Sequence, residues 1–330
     1  IRSQSKEEPS LKKAPQKPIR PLLLSLVIGM TLLSAFTSQC YASPSPSDDA
    51  WNPIVSNLYY EVWWFDAQTE NGEFICCVIA VMGNIEKNAT ARIDLIIWTA
   101  DGGIDKVTWF YPFSKFRASA EKLDISVEDS FARETPPFYE VFLSNGTVSC
   151  YIHYTAEMPP WKKPKPRPDS YGDWIVIVPK GKVSGWYNMA GKQHEITGIG
   201  YHDHMYCLTP VVDGYVGLPN MWGRILGERT VVAFGKAPAN YKPVAVFFPD
   251  NVYEPDRVIM EIDNYSLKIV GYGENVVIYL KLAISRQCLI YRAKAWEAYR
   301  GLISAEGYIL TKTFKRHLKG EGIIYFALAV

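Results

Sequence analysis

The sequence has little of what several common protein classes require. Its 330 residues carry 35 basic and 34 acidic side chains, a net charge of +1, so it lacks the positive excess that nucleic-acid binding uses. Six cysteines lie at scattered positions, five of them beyond residue 42, and their spacing matches neither a disulfide framework nor a zinc ligand set. We therefore expect no nucleic-acid partner, and buried free thiols rather than a cross-linked scaffold.

Helical periodicity is also scarce. Only Ala118–Phe131 and Ala293–Ile303 hold a helical apolar period over any length, and both are modest helix candidates. From Tyr59 onward, short β-branched and aromatic runs alternate with turn residues, and Asp101-Gly102-Gly103 and Asn145-Gly146 are typical hairpin turns. Regularly spaced short strands predict an all-β fold of antiparallel sandwiches or barrels.

The one long apolar run lies near the start of the chain. The largely apolar residues 21–36 follow a basic stretch that contains Lys12, Lys13, Lys17 and Arg20. This run is shorter than the ~20 residues of a membrane-spanning helix and is typical of a signal peptide. Cys40-Tyr41-Ala42 offers small residues for cleavage, so we expect export to an extracellular, periplasmic or lumenal space after cleavage near Ala42. The alternative is an uncleaved segment that anchors the protein to a membrane.

Composition and turns divide the chain into four ranges. A break near 212–220 separates two β-rich parts of unequal size. We expect a signal peptide or anchor over 1–42, a linker over 43–56, an N-terminal β domain over 57–213 and a C-terminal β domain over 214–330.

The strongest candidate for a chemical site is the stretch Gly198–His204, which reads Gly-Ile-Gly-Tyr-His-Asp-His and holds two of the five histidines. At strand spacing His202 and His204 project to one face, and Tyr201 and Asp203 project to the other. We expect the motif to present two imidazoles to one cavity with the aspartate behind them. Its glycines indicate either a bulge or a close approach of backbones.

A second cluster, Tyr60–Ala67, opens the β-rich part of the chain. On a strand, Glu61, Trp63 and Phe65 share one face, and the residues between them share the other. A carboxylate among tryptophans is poorly solvated, which favours its protonated form and suits a general acid. The competing interpretation is that Glu61 pairs with an arginine or caps a backbone group.

Four segments together resemble the carotenoid 1,2-hydratases, or hydroxyneurosporene synthases, and the related lipocalin-like AttH-type proteins. The segments are Glu61–Asp66, Trp174–Gly185, Gly198–His204 and Trp222–Arg224. In order and spacing the resemblance covers roughly residues 57–330, and the fungal decalin-forming Diels–Alderases are similar at a greater distance. The resemblance implies two lipocalin-like antiparallel β-barrels or sandwiches packed side by side, with an apolar pocket for a polyene or terpenoid and no metal or other cofactor.

The resemblance also implies a cofactor-independent hydratase or cyclase. Such an enzyme protonates an isolated alkene, and water or an internal nucleophile then captures the cation. Protonation requires a water-shielded acid, and the cation requires aromatic faces around it. We expect Asp203 or Glu61 to be the acid, and His202 or His204 to hold its proton or activate water. The aromatic faces are expected to come from Trp63, Trp64, Tyr201 and Trp222. Arg224 is expected to anchor a polar end of the substrate or to pair with Asp203 or Glu61.

Departures from the family pattern leave the substrate open. Val62 interrupts the Glu-Trp-Trp of the first segment, and Met205-Tyr206-Cys207 stands where relatives carry Asn/Gln-Trp-Gly.

Two functions other than a hydratase or cyclase stay open as well. One is a secreted lipocalin-like protein that binds a hydrophobic small molecule without catalysis. The other is a metal enzyme that uses His202 and His204, with further ligands from elsewhere in the chain. The sequence does not fix the oligomeric state.

Overall fold

The structure, a computed structural model, describes residues 44–163, 172–208, 211–212, 215–216, 221–236, 242–263, 265–292 and 296–329. Within these ranges the chain forms strands and turns, with two single-turn 3-10 helices at Pro46–Asp48 and Phe113–Lys115 and no α-helix. The all-β prediction is therefore confirmed. The signal peptide or anchor predicted over 1–42 lies outside the described residues. In the described part of the chain, no helix has the length and hydropathy needed to cross a membrane.

The first sheet has 12 strands and curls into a nearly closed barrel. Its strands are β1 (Tyr59–Thr69), β2 (Phe74–Met82), β3 (Thr90–Trp98), β4 (Ile104–Pro112), β5 (Phe116–Ala118), β6 (Asp124–Val127), β7 (Ser130–Thr135), β8 (Phe138–Ser144), β9 (Ser149–Ala156), β10 (Trp161–Lys162), β11 (Gly172–Met189) and β12 (Lys192–Leu208). They pair in the order β4-β3-β2-β1-β12-β11-β9-β8-β7-β6-β5, with β10 added to β11. Strands β8 and β9 alternate buried and half-buried residues, as expected for strands with one face on a core.

The second sheet has 9 strands and forms a curled half-barrel. Its strands are β15 (Met221–Gly227), β16 (Val231–Lys236), β17 (Val244–Phe248), β18 (Asn251–Tyr253), β19 (Arg257–Asp263), β20 (Ser266–Tyr272), β21 (Val276–Arg292), β22 (Trp296–Thr311) and β23 (Lys315–Ala329). They pair in the order β18-β17-β16-β15-β23-β22-β21-β20-β19. A separate two-stranded ladder, β13 (Val211–Val212) with β14 (Tyr215–Val216), precedes this sheet in the sequence.

The two sheets pack against each other through an apolar core of their own. The first sheet contributes outward side chains such as Val62 and Val78, and the second contributes Ile290, Leu302 and Ile323. Strands β1 and β2 are consequently buried on both faces. This double burial explains why β2 is apolar throughout and why β1 does not alternate between apolar and polar residues. Two of the polar residues of β1, Glu61 and Asp66, are themselves buried.

The predicted ranges can be compared with the sheets directly. All strands of the first sheet lie within 57–213, and all strands of the second lie within 214–330. Within the range predicted as a linker, Asp49 and Ala50 are buried. Trp63 donates from Nε1 to the Asp49 carbonyl oxygen at 3.0 Å, so this segment packs into the first barrel.

Both helix candidates are wrong. Residues 118–131 contain the end of β5, all of β6 and the start of β7, and residues 296–303 belong to β22. In β6 and β7 every second residue is buried, which is the period of a strand rather than of a helix. Short apolar runs fit either period, and here pairing with neighbouring strands decides the outcome.

The glycines of the Gly198–His204 motif do mark a close approach of β12 to β1. A Cβ added to Gly200 would lie 2.6 Å from the Asp66 carbonyl oxygen and 2.6 Å from the Tyr154 ring.

We therefore expect Gly200→Ala to lower the free energy of unfolding by about 1–3 kcal/mol, measured by urea denaturation. Gly301→Ala, whose nearest atoms would be 3.3 Å away, is the matched control and should lose less. Unchanged stability of the Gly200 variant would contradict this account.

Candidate functional site

The pairing of β1 with β12 divides the predicted site residues between two faces. Four cross-strand pairs lie next to one another: Trp63 with His204, Trp64 with Asp203, Phe65 with His202, and Asp66 with Tyr201. Residues directly opposite in an antiparallel pair share a face, and successive residues alternate between faces. The pairs that contain histidine therefore point into the first barrel, and the other two point toward the second sheet.

The face toward the second sheet borders a pocket of about 60 Å³. The first sheet lines it with Trp64, Trp174, Tyr201 and Asp203, and the second sheet lines it with Trp222, Arg224, Arg300 and Tyr325. We call Trp64, Asp66, Trp174, Tyr201, Asp203 and Arg224 the outer cluster. An engineered apolar cavity of ~150 Å³ holds one benzene, so this smaller pocket accepts one end of a ligand rather than a whole polyene.

Asp203 is the acidic group of this pocket. Trp174 donates from Nε1 to its Oδ2 at 3.0 Å, and the Tyr201 hydroxyl donates to the same oxygen at 2.7 Å. Among the described residues no donor contacts Oδ1. Burial raises the pKa of Asp203 to about 6, although the hydrogen bonds from Trp174 and Tyr201 act in the opposite direction. The carboxyl is therefore protonated in part near neutral pH.

A buried ion pair lies beside this acid. Arg224 donates from Nε to both carboxylate oxygens of Asp66 at 3.0 Å, and its Nη2 also bonds Asp66. Trp64 donates from Nε1 to Asp66 Oδ2 at 2.9 Å. These three groups leave Asp66 as an acceptor only, so it serves as the counter-ion of Arg224 rather than as a proton donor.

Aromatic rings form much of the pocket wall. The rings of Trp174 and Trp222 meet edge to face with centroids 5.1 Å apart. The guanidinium of Arg300 lies 5.0 Å from the centroid of the Trp64 ring and pairs with Asp94 at 2.8 Å. The wall therefore combines π faces that suit an apolar or cationic group with charged side chains held in ion pairs.

The opposite face of the same strands carries a second polar group, the inner cluster of Asp49, Tyr59, Glu61, His202 and His204. His204 contacts the Asp48 carbonyl oxygen through Nδ1 at 2.8 Å and Glu61 Oε1 through Nε2 at 2.8 Å. Glu61 also accepts the Asn52 backbone N–H at 2.9 Å and the Tyr59 hydroxyl. Glu61 therefore caps a backbone group and binds a histidine, and no arginine pairs with it among the described residues.

His202 has the same arrangement with different partners. Its Nδ1 lies 2.9 Å from the Trp64 carbonyl oxygen, and its Nε2 lies 2.9 Å from Asp49 Oδ2. The imidazole stacks on Phe65 with ring centroids 4.0 Å apart. Both histidines are buried, and neither they nor Glu61 line the pocket between the sheets among the residues that the structure describes.

Both nitrogens of each imidazole thus face oxygen atoms that accept protons. A carbonyl oxygen has no proton to give, so Nδ1 of each ring must carry one. A second proton must lie between each Nε2 and its carboxylate, because two unprotonated lone pairs repel at 2.8–2.9 Å. Burial lowers the pKa of His204, but the hydrogen bond and charge of Glu61, with the charge of Asp49, outweigh burial and raise it above its ordinary value.

The structure separates the nine predicted site residues into two groups. Trp64, Tyr201, Asp203, Trp222 and Arg224 line the pocket, whereas Glu61, Trp63, His202 and His204 lie inside the first barrel. The two imidazoles, which were predicted to face one cavity, point into the first barrel, whereas the pocket between the sheets lies on the Asp203 side. Pairing of Arg224 with Asp203 or Glu61 is also wrong, because Asp66 is its partner. The described residues contain no group of three or more potential metal ligands.

Three residues that the sequence did not predict for the site contact the predicted site residues in the structure: Asp66, Trp174 and Asp49. Asp66 shares a strand face with Trp64, and this spacing was a usable signal for it. Trp174 begins the second segment of the family resemblance, which was a weaker signal. Asp49 precedes the first strand and has no pattern that could connect it with His202.

Comparison with known proteins places the fold. No protein-family model matches the sequence, and no curated protein matches it. A solved structure assigned as AttH from Nitrosomonas europaea has a TM-score of 0.61 at 12% identity, covering 87% of this chain and 96% of that one. Kievitone hydratase from Nectria haematococca gives 0.58 at 12% identity, covering 88% and 94%. CghA solved with Sch210972 gives 0.58 at 11% identity, covering 87% and 96%. The chain shares the fold of these proteins, as the resemblance led us to expect.

The protonated inner cluster predicts how stability depends on pH. The raised pKa of His204 means that the folded chain holds a proton which the unfolded chain releases above its ordinary value of about 6.5. The stability from this proton is fully present below that value and is lost as the pH rises through the folded pKa. We expect the free energy of unfolding of the wild type to fall as the pH rises above about 6.5, measured by urea denaturation.

His204→Gln should show a shallower fall than the wild type, because it removes the titrating group. His317→Gln is the matched control, since the His317 side chain is 61% exposed and should leave the wild-type slope unchanged. Equal slopes in wild type and His204→Gln would mean that His204 does not hold this proton.

Proposed function

We propose that the protein is a cofactor-independent hydratase or cyclase that protonates an alkene of a polyene or terpenoid-type lipophilic substrate in the pocket between the sheets. The observation that carries the proposal is Asp203, a carboxyl with a pKa of about 6 on the wall of an aromatic-lined cavity. Acid catalysis near neutral pH requires a carboxyl whose pKa has been raised in this way.

The reaction can be written with its protons balanced. The O–H bond of the Asp203 carboxyl breaks as its proton forms a C–H bond with the less substituted alkene carbon, and the π electrons make that bond. The other carbon becomes a tertiary cation, which the pocket aromatics and the new Asp203 carboxylate stabilise. Water then forms a C–O bond with the cation and returns a proton to Asp203. The net change is addition of water to the alkene, and capture by an internal nucleophile gives a ring instead.

The fold neighbours support hydration or ring formation as the kind of reaction, and the acid step rests on Asp203. One neighbour is a kievitone hydratase, and CghA is a decalin-forming Diels–Alderase. Hydration and ring formation thus both occur on this fold, and in this chain both would use the same pocket. The second candidate is binding of a hydrophobic small molecule without turnover, which the aromatic wall alone would support.

Replacing the acid tests catalysis against binding. We expect Asp203→Asn to lower turnover of a prenylated substrate at least about 100-fold, while its affinity, followed by quenching of tryptophan fluorescence, changes little. Turnover by the wild type should rise as the pH falls through about 6, because only protonated Asp203 donates.

Glu61→Gln is the matched variant on the opposite strand face and should keep turnover per folded molecule. Full activity of Asp203→Asn together with inactivity of Glu61→Gln would assign the acid to Glu61 and contradict the proposal. Binding without turnover in the wild type would favour the second candidate.

The hydroxyl of Tyr201 offers a finer test of the same acid. Its hydrogen bond to Asp203 Oδ2 stabilises the carboxylate and lowers the pKa of Asp203. Tyr201→Phe should therefore raise that pKa and move the pH at which turnover declines upward. The control is Tyr151→Phe, whose hydroxyl donates to Glu140 at 3.1 Å and should leave the pH profile unchanged. A downward shift in Tyr201→Phe would show that another group titrates.

A further inference from the structure

We propose that the substrate of this pocket is not a pure hydrocarbon but carries an oxygen acceptor, a carbonyl, phenolate or carboxylate, that binds Nη1 of Arg224. The inference rests on the function proposed above and specifies the class of molecule on which it acts. The resemblance to carotenoid hydratases implies a polyene, and the chemistry of Arg224 narrows that class to molecules with a polar oxygen at one end.

The first observation is an unsatisfied donor. Arg224 is 1% exposed, and its Nε and Nη2 both bond Asp66. This side-on pairing uses one edge of the planar guanidinium, and Nη1 points away from that edge. Among the described residues Nη1 is buried without a hydrogen-bond partner. A buried charged donor without a partner is uncommon in folded proteins, so a ligand atom is expected there.

The second observation is where this donor lies. Arg224 lines the same pocket as Asp203, and its guanidinium carbon lies 6.0 Å from the centroid of the Tyr201 ring. The hydroxyl of that same tyrosine bonds Asp203. The unpaired donor and the acid are therefore neighbours across one side chain, and one ligand can contact both.

A hydrocarbon ligand would not satisfy the Nη1 donor, whereas a ligand with an oxygen acceptor would. A polyene that fills the pocket excludes water and offers no acceptor, so it leaves Nη1 unpaired in a dry site. A site with a buried donor of this kind discriminates strongly against ligands that lack the matching acceptor. An oxygen atom at the substrate end satisfies the donor and also orients the chain so that its alkene faces Asp203. The competing occupant is a water molecule, which the pocket volume admits.

Three probes of one carbon skeleton test the inference with the full chain. They are farnesene, which is a hydrocarbon, farnesal, which is a neutral aldehyde, and farnesoic acid, which is an anion. Binding is measured by quenching of tryptophan fluorescence, since three tryptophans line the pocket. We expect at least one oxygenated probe to bind roughly 10- to 100-fold more tightly than farnesene. Tighter binding of the acid alone indicates an anionic acceptor, and tighter binding of both indicates a neutral one.

Two variants test the residue itself. Arg224→Lys keeps a cation opposite Asp66 but removes the guanidinium fork. The double variant Asp66→Asn with Arg224→Gln keeps a neutral hydrogen-bonded pair in case the single variant does not fold. Each should reduce the affinity for the oxygenated probe roughly 10-fold or more and leave farnesene binding within about two-fold. Arg133→Gln is the control, because that arginine pairs with Asp124 on the surface.

The results separate this inference from the proposed function. Equal affinity for all three probes, or equal weakening of all three in the Arg224 variants, would overturn the inference and leave a water molecule as the partner of Nη1. Selective loss of the oxygenated probe would support it even if Asp203→Asn remained fully active, in which case the catalytic proposal alone would fail.

Discussion

The constraint on which the rest of the molecule depends is the register between β1 and β12. Over residues 200–205 of β12 and the residues opposite them in β1, side chains are buried or half-buried on both faces. Each pair of opposite residues there is committed either to the interior of the first barrel or to the contact with the second sheet. A slip of one residue would send His202 and His204 into the pocket and Asp203 into the barrel. The close backbone contact at Gly198, where an added Cβ would lie 2.1 Å from the Gln68 carbonyl oxygen, opposes such a slip.

This register places two polar clusters back to back across one sheet, and their surroundings give them different tasks. In the inner cluster every imidazole nitrogen has a protein oxygen as its partner, so the protons there hold the segment around Asp49 to β1 and β12. In the outer cluster Oδ1 of Asp203 and Nη1 of Arg224 have no partner among the described residues. Satisfied groups stabilise a structure, and unsatisfied groups next to a cavity indicate a ligand. The partners of the two imidazoles therefore indicate a structural role for the inner cluster, although Asp49 Oδ1 is buried there without a hydrogen-bond partner among the described residues. Our proposal assigns the chemistry to the outer cluster.

Alternation along a strand is enough to predict which residues share a face, and the sequence analysis assigned the faces of Tyr201–His204 and Glu61–Asp66 correctly. Alternation does not predict which of the two faces borders a pocket, because both faces are buried and both carry aromatic and acidic residues. That choice depends on how the second sheet packs against β1, which is a contact between residues far apart in the chain. The same limit explains Arg224: its nearest acid is 158 positions away, and no spacing rule connects it with Asp66. The helix candidates failed for a related reason, since pairing with neighbours overrides a weak local period.

The outer cluster also explains how a cationic intermediate can form next to an arginine. An unpaired guanidinium would repel the tertiary cation, but Asp66 neutralises Arg224 at contact distance, so the pair presents almost no net charge to the pocket. Asp203 forms no ion pair among the described residues, and in the proposed reaction proton donation would leave it as an anion beside the new cation. The two carboxylates on this face therefore have different proposed roles because their surroundings differ, as in other sites with paired acids. Asp66 is the counter-ion of Arg224, and Asp203 is the acid. In the proposed reaction Asp66 holds Arg224 in place through the hydrogen bonds that it accepts from Nε and Nη2, and Asp203 changes its charge.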